Sequence, residues 1–258
     1  MQTVDIHSHL HHFSPELLEE LDKLPDFPTL LINCALDATE LKYGELICEK
    51  FKNIRLSAGL HPQIADVTDE QCIKYLDSLK NRCDLVAIGE IGYDIYHANP
   101  SIESQKYFFK AQLTIAKNKN LPVIIHCRNG FEELFDDLKM SELDTPVILH
   151  GYSGGFKFLD QCLKSGYYIS FGTPLVYEQS RNLRRIAELV PMNKILTETD
   201  SPFNLFRHAD YSKDQNIPNN IVDVYRTLAD VKKMNIDELC AQIYENACSV
   251  FILDLFPN

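Results

Sequence analysis

Eight short apolar runs, rich in β-branched residues, punctuate the chain at residues 3–7, 29–35, 54–59, 85–88, 122–126, 147–150, 167–171 and 194–199. Several are apolar without a break, as in Val123-Ile124-Ile125 and Val147-Ile148-Leu149. Parallel strands covered on both faces read this way, whereas a half-exposed strand alternates. Helical signals fill the gaps. Ser14-Pro15-Glu16 offers an N-cap with proline at the first helical position, and Thr68-x-x-Gln71 and Asn235-x-x-Glu238 read as capping boxes. Phe108, Ala111, Gln112 and Ile115 keep helical spacing until Asn120-Leu121-Pro122 ends it. Strand and helix alternating eight times predict an α/β fold, a (β/α)₈ TIM barrel. An open doubly wound sheet is the alternative, because periodicity does not show closure.

The chain has 258 residues, and one such barrel typically takes about 250, so residues 1–258 read as a single domain. No linker, short repeat or low-complexity segment interrupts it. The longest irregular piece, residues 203–220, follows the last strand and reads as either a binding loop or a surface insertion. No apolar run approaches the ~18 residues a membrane helix needs, and the start lacks a secretory signal. A cytoplasmic protein without membrane contact is the expectation, and nothing points to an obligate protein partner. The eight cysteines are scattered without a CxxC pair and read as reduced, mostly buried small hydrophobes. A net charge of −12 argues against a broad basic surface that tracks a nucleic-acid backbone. It leaves a nuclease possible, since bound cations would supply positive charge where a phosphate sits.

Chemistry-bearing residues gather at one end of the predicted strands. His7 and His9 close the first, His61 follows the third, Glu90 the fourth, His126 closes the fifth, His150 the sixth, and Asp200 follows the eighth. The C-terminal strand ends of a (β/α)₈ barrel form one rim, where active sites lie. By strand alternation Asp5, His7 and His9 share a face, so His-x-His can clasp an ion with two imidazoles. The adjacent His11-His12 reads as solvated loop, and His97 likewise. Four imidazoles and two carboxylates exceed what one ion needs, which implies two ions with a carboxylate between them; Glu90, mid-rim, is the candidate bridge. Nitrogen ligands favour Zn, Mn, Fe, Co or Ni, and carboxylate and water still admit Mg; Zn, Mn or Mg are the leading choices. The same alternation puts Glu198 and Asp200 on the inward face. Asp200 is placed to touch a metal and take a proton from its water. Glu198 is either a partner to a ligand histidine or a buried pair to Arg128. Ser153-Gly154-Gly155 opens a helix whose free amides are a phosphate-site candidate, whereas Arg181, Arg184 and Arg185 read as a solvated helix face.

Taken together, Asp5-Ile6-His7-Ser8-His9-Leu10, Ala58-Gly59-Leu60-His61-Pro62, Ala87-Ile88-Gly89-Glu90-Ile91-Gly92-Tyr93-Asp94, Leu121-Pro122-Val123-Ile124-Ile125-His126-Cys127-Arg128, His150-Gly151-Tyr152-Ser153-Gly154, Glu198-Thr199-Asp200-Ser201-Pro202 and Glu245-Asn246-Ala247 resemble the TatD-type metal-dependent deoxyribonucleases of the amidohydrolase-like barrels. The resemblance runs over nearly the whole chain. It implies that His7, His9, Glu90 and Asp200 hold one ion and Glu90, His126 and His150 a second, with His61 beside the substrate phosphate. The implied reaction is hydrolysis of DNA phosphodiester bonds by a metal-activated water, on single strands or ends. Apart from the resemblance, Arg128, Ser153, Gly154 and Arg207 are the other residues placed near the rim to contact substrate beside His61, with His208 within reach.

Three departures stand out: Tyr93 where Leu is usual, Gly151-Tyr152 where Cys-Phe is usual, and Phe203–Asp210 in place of a basic run. The last leaves an ester or amide hydrolase, on a small molecule or aminoacylated RNA, as the second reading. A catalytically dead binding protein is the third, disfavoured by the full ligand set.

Overall fold

The computed structural model describes residues 1–97, 99–204 and 216–252. Eight strands form one parallel sheet in the order of the chain: β1 (Val4–Ser8), β2 (Leu30–Ala35), β3 (Ile54–Ala58), β4 (Leu85–Asp94), β5 (Val123–Arg128), β6 (Val147–Leu149), β7 (Tyr168–Phe171) and β8 (Ile195–Thr197). A helix follows each: α1 (Pro15–Asp22), α2 (Ala38–Lys50), α3 (Glu70–Leu79), α4 (Ile102–Lys119), α5 (Phe131–Ser141), α6 (Gly155–Lys164), α7 (Arg181–Leu189) and α8 (Ile221–Lys232), with α9 (Ile236–Phe251) added at the end. Sequential parallel neighbours with a helix at every crossover are the (β/α)₈ order, and the open doubly wound alternative is excluded.

Closure at the seam between β8 and β1 falls to the residues just past β8. Asp200 N–H donates to His7 O at 2.9 Å and His9 N–H to Ser201 O at 2.7 Å. The buried Asp5 carboxylate accepts from Thr199 N at 3.0 Å and from Thr199 Oγ1 at 2.6 Å. Burial pushes the Asp5 carboxyl up to about 7 despite these donors.

Local signals explain most helix boundaries. Ser14 accepts from Leu17 N and Asn235 from Asp237 N and Glu238 N, as N-caps do. The cap of α3 is Asp69, which accepts from Gln71 N, not Thr68; Thr68 instead folds onto the Asp66 carboxylate. α4 ends at Asn120 in the left-handed conformation, φ 54°. The main core lies between sheet and helices, with Tyr225 of α8 and Phe108 and Phe109 of α4 among its largest buried side chains, and a second cluster packs α1 and α2 on Leu31 and Ile54. In α9 the buried Asn246 amide donates to Met192 O and Ile195 O, both at 2.8 Å, and so clamps the start of β8. The cysteines are all unpaired; six are buried, Cys48 is half-buried and Cys83 is exposed. Among the described residues no helix is long and apolar enough to cross a membrane.

Candidate metal centre

The ligand candidates converge on the C-terminal rim, and Glu90 stands at their centre. It sits where the register of β4 against β5 is broken between Gly89 and Ile91; such irregularities re-aim a side chain beside an active site. Its two oxygens face different partners. Oε2 lies 3.3 Å from His7 Nε2 and 3.8 Å from His9 Nε2. Oε1 lies 2.8 Å from His150 Nε2, 2.9 Å from His126 Nδ1 and 3.3 Å from His61 Nε2. Asp200 Oδ1 completes the first side, 3.4 Å from His9 Nε2 and 3.6 Å from His7 Nε2.

Three sets of donor atoms here lie within 4.8 Å of one another: His7, His9 and Asp200; His7, Glu90 and His150; His61, Glu90 and His126. His61 therefore stands among the donors, closer to them than its expected place beside a phosphate. Its Nδ1 accepts from Gln63 N at 3.2 Å, which leaves the proton on Nε2 toward Glu90.

Asp200 reaches the rim by a different route from strand alternation. β8 ends at Thr197, and Asp200 has φ 57°, a left-handed residue held by its hydrogen bond to His7. Glu198 lies deeper: its Oε1 accepts from Gly151 N at 2.6 Å and stands 3.4 Å from His150 Nδ1. The pair with Arg128 does not form. The Arg128 guanidinium lies instead over the Tyr96 ring, 4.0 Å from its centroid.

Charge explains why this cluster suits cations. Glu90, Asp94, Glu198 and Asp200 are all largely buried, and their ion-pair partners among the described residues are histidines, with no lysine or arginine. Burial pushes the Glu90 carboxyl up, yet His150, His61 and His7 together hold it well below the usual range. For Asp200 burial is likewise outweighed, by His9 and then His7. Burial and the neighbouring His150 lower His7, whereas Glu90 and Glu198 hold His150 well up against burial. Buried carboxylates with only imidazole partners need either protons or metal ions. Two divalent ions would balance four carboxylates.

Two depressions share His126, His150 and Asp200. One, of about 400 Å³, continues past Arg128, Ser153 and Glu198; the other, of about 300 Å³, continues past His61, Gln63 and Phe203. Gly154 is the N-cap residue of α6 and lines a neighbouring hollow with Ser153. Arg207 and His208 lie outside the described residues. Arg184 is no solvated face: it donates to Leu175 O and Val176 O.

Residues 4–252 match the family described as TatD related DNase. The chain belongs to the TatD family. It is a metal-dependent hydrolase of that family. YabD of Bacillus subtilis, an uncharacterized metal-dependent hydrolase, is 28% identical over 251 residues, 96% of this chain and 98% of its own. The 3'-5' ssDNA/RNA exonuclease TatD of Pantoea ananatis is 31% identical over 222 residues, 83% of this chain and 85% of its own. The crystal structure of YJJV, a TatD homologue of Escherichia coli K12, superposes with a TM-score of 0.85 at 25% identity, covering 98% of both chains.

Two departures from the TatD pattern have local partners. Tyr93 is fully buried and donates to Asp137, and Tyr152 donates to Gly155 O at 2.9 Å. Asp94 is a buried carboxylate of the candidate site to which sequence reasoning gave no role. Its Oδ2 accepts from Gln63 Nε2 at 2.6 Å and His97 Nδ1 at 2.8 Å and lies 3.2 Å from His126 Nε2, so His97 belongs to the site's support rather than to free loop. A carboxylate behind a ligand histidine fixes its ring and raises its basicity. Asp94→Asn is expected to weaken metal binding roughly 10–100-fold, measured by competition with a chromogenic chelator; unchanged affinity would remove Asp94 from that role.

Proposed function

We propose that this TatD-family hydrolase is a deoxyribonuclease that cleaves phosphodiester bonds in single-stranded DNA or at DNA ends, with two divalent ions, Zn, Mn or Mg. The observation that carries the reading is the division of Glu90, whose two oxygens face separate groups of imidazoles. That is the arrangement of a bridging carboxylate. His7, His9 and Asp200 would hold one ion with Glu90, and His126 and His150 the other. Divalent ions at such a centre supply Lewis acidity and a nucleophile from water near neutral pH.

The protein's own groups then divide the work. Asp200, anchored from Asn204 Nδ2 to its Oδ2 at 2.6 Å, keeps Oδ1 toward the histidines and accepts the proton of the attacking water. His61, with its proton on Nε2, donates to a phosphate oxygen as charge develops. Glu198 orients His150. Arg128, stacked on Tyr96, and Ser153 and Gly154 contact the flanking phosphates. The two depressions that meet at the shared ligands suit a strand lying across the centre better than one compact ester.

With a chain of net charge −12, capture of DNA must be local. Counterion release predicts about −0.7 in the slope of log affinity against log salt per neutralised phosphate, hence roughly −1.5 to −3 in total. Titration of a fluorescent oligonucleotide into metal-loaded Asp200→Asn protein at several salt concentrations measures it. A slope steeper than about −5 would mean many phosphate contacts and overturn local capture. The missing basic run favours a second reading, an ester or amide hydrolase. Absence of binding at any salt, with turnover of a small ester, would decide for it.

A further inference from the structure

Beside the centre just described, and sharing no ligand with it, a second group of metal-binding side chains comes together. His11 and His12 lie in the short 3₁₀ turn Leu10–His12 after β1, and Glu40 lies in the first turn of α2. His11 is not a solvated residue. Its side chain is only 9% exposed, and neither Nδ1 nor Nε2, both shielded from water, has a hydrogen-bond partner. Glu40 Oε1 stands 3.0 Å from His11 Nε2, but out of line for a hydrogen bond. The Glu40 carboxylate is fixed through its other oxygen, which accepts from Leu36 N at 2.7 Å. The His12 ring lies 4.1 Å from that of His11, and one donor atom from each of the three residues lies within 4.8 Å of the others.

A buried imidazole whose Nδ1 has no partner, and whose Nε2 meets a carboxylate without an aligned hydrogen bond, calls for an explanation. An ion supplies one. Ligand atoms bonded tetrahedrally to the same zinc at about 2.0–2.2 Å stand roughly 3.3–3.6 Å apart, and they point at the ion rather than at each other. The 3.0 Å approach between His11 and Glu40 without hydrogen-bond alignment would need to open only slightly to reach that spacing.

We propose that His11, His12 and Glu40 form a separate site for a divalent transition-metal ion, zinc foremost. Two imidazoles and one carboxylate are a donor set that suits zinc and leaves a further position for water. His12 is exposed, which gives the ion a path from solvent. The site adjoins the rim. The Phe203 ring stands 5.3 Å from that of His9 and 5.2 Å from that of His12. An ion held there adds positive charge beside the catalytic end of an acidic protein. The assignment stands whatever bond the hydrolase cleaves.

The test uses the full chain with its central ions already loaded. Uptake of Zn²⁺ is followed by calorimetric titration and, after equilibrium dialysis, by elemental analysis, for wild type, His12→Gln, Glu40→Gln and Asp200→Asn. Wild type and Asp200→Asn are expected to take up one ion beyond the central set. In His12→Gln and Glu40→Gln that ion is expected to be lost or bound at least tenfold more weakly. His12 is on the surface, so its variant tests the site without disturbing the buried His11. Equal uptake and affinity in wild type and both site variants would overturn the assignment.

Discussion

Asp200→Asn is expected to abolish turnover while leaving the fold intact. The change is isosteric and keeps a side chain able to meet Asn204, His7 and His9, but it removes the charge and the proton acceptor. General-base removal costs roughly 10²–10⁴-fold, and loss of a metal-facing carboxylate adds to that. Stability should hold, because Asp200 fastens the barrel seam through its backbone N–H, which the substitution leaves in place. The substitution also withdraws one negative charge from a cluster of four buried carboxyl groups. Glu198→Gln should be milder, about 10–100-fold, since it touches the centre only through His150 and Gly151. Steady-state rates at saturating metal, with thermal melts alongside, distinguish the two. Wild-type turnover in Asp200→Asn at excess metal would mean that the base lies elsewhere.

Metal removal should be the largest stability effect. Each ion present at about 100 times its dissociation constant adds about 2.7 kcal/mol, so two add roughly 5 kcal/mol. For a chain of this size about 1 kcal/mol moves the Tm by roughly 2–4 °C, and exhaustive chelation should lower the Tm by about 10–20 °C. At the central site, reconstituted and dialysed protein should retain two tightly held ions, and Glu90→Ala should retain fewer, because one carboxylate serves both sides. A ceiling of one ion that Glu90→Ala leaves unchanged would end the bridging assignment.

The fold was legible because the strands are buried on both faces and announce themselves as unbroken apolar runs. The cluster of candidate ligands was legible because its members follow those runs at a constant end. What sequence reasoning missed has local causes. The unbroken apolar run ends at Ile88, where Gly89 and Glu90 follow, so the strand was expected to stop there, whereas β4 continues to Asp94. Gly92 marks a close approach: it has φ 138°, and a Cβ there would lie 2.0 Å from His126 O. Alternation along β8 predicted the right face for Asp200 for the wrong reason, since the strand ends three residues earlier and a left-handed backbone delivers the carboxylate. The burial of His11 had no sequence signal, because it depends on α2 bringing Glu40 across from another part of the chain.

The seam where β8 meets β1 gives this enzyme a particular vulnerability. Residues 199–201 carry the carboxylate proposed as the general base and also fasten the last edge of the barrel to the first, through His7, Asp5 and Ser8. Most barrels can adjust a catalytic loop without touching the cylinder that supports it. Here the same three residues are both hinge pin and tool, so drift in this segment is judged on two counts at once. New specificity has to be found in the neighbouring loops, while the clasp itself stays fixed.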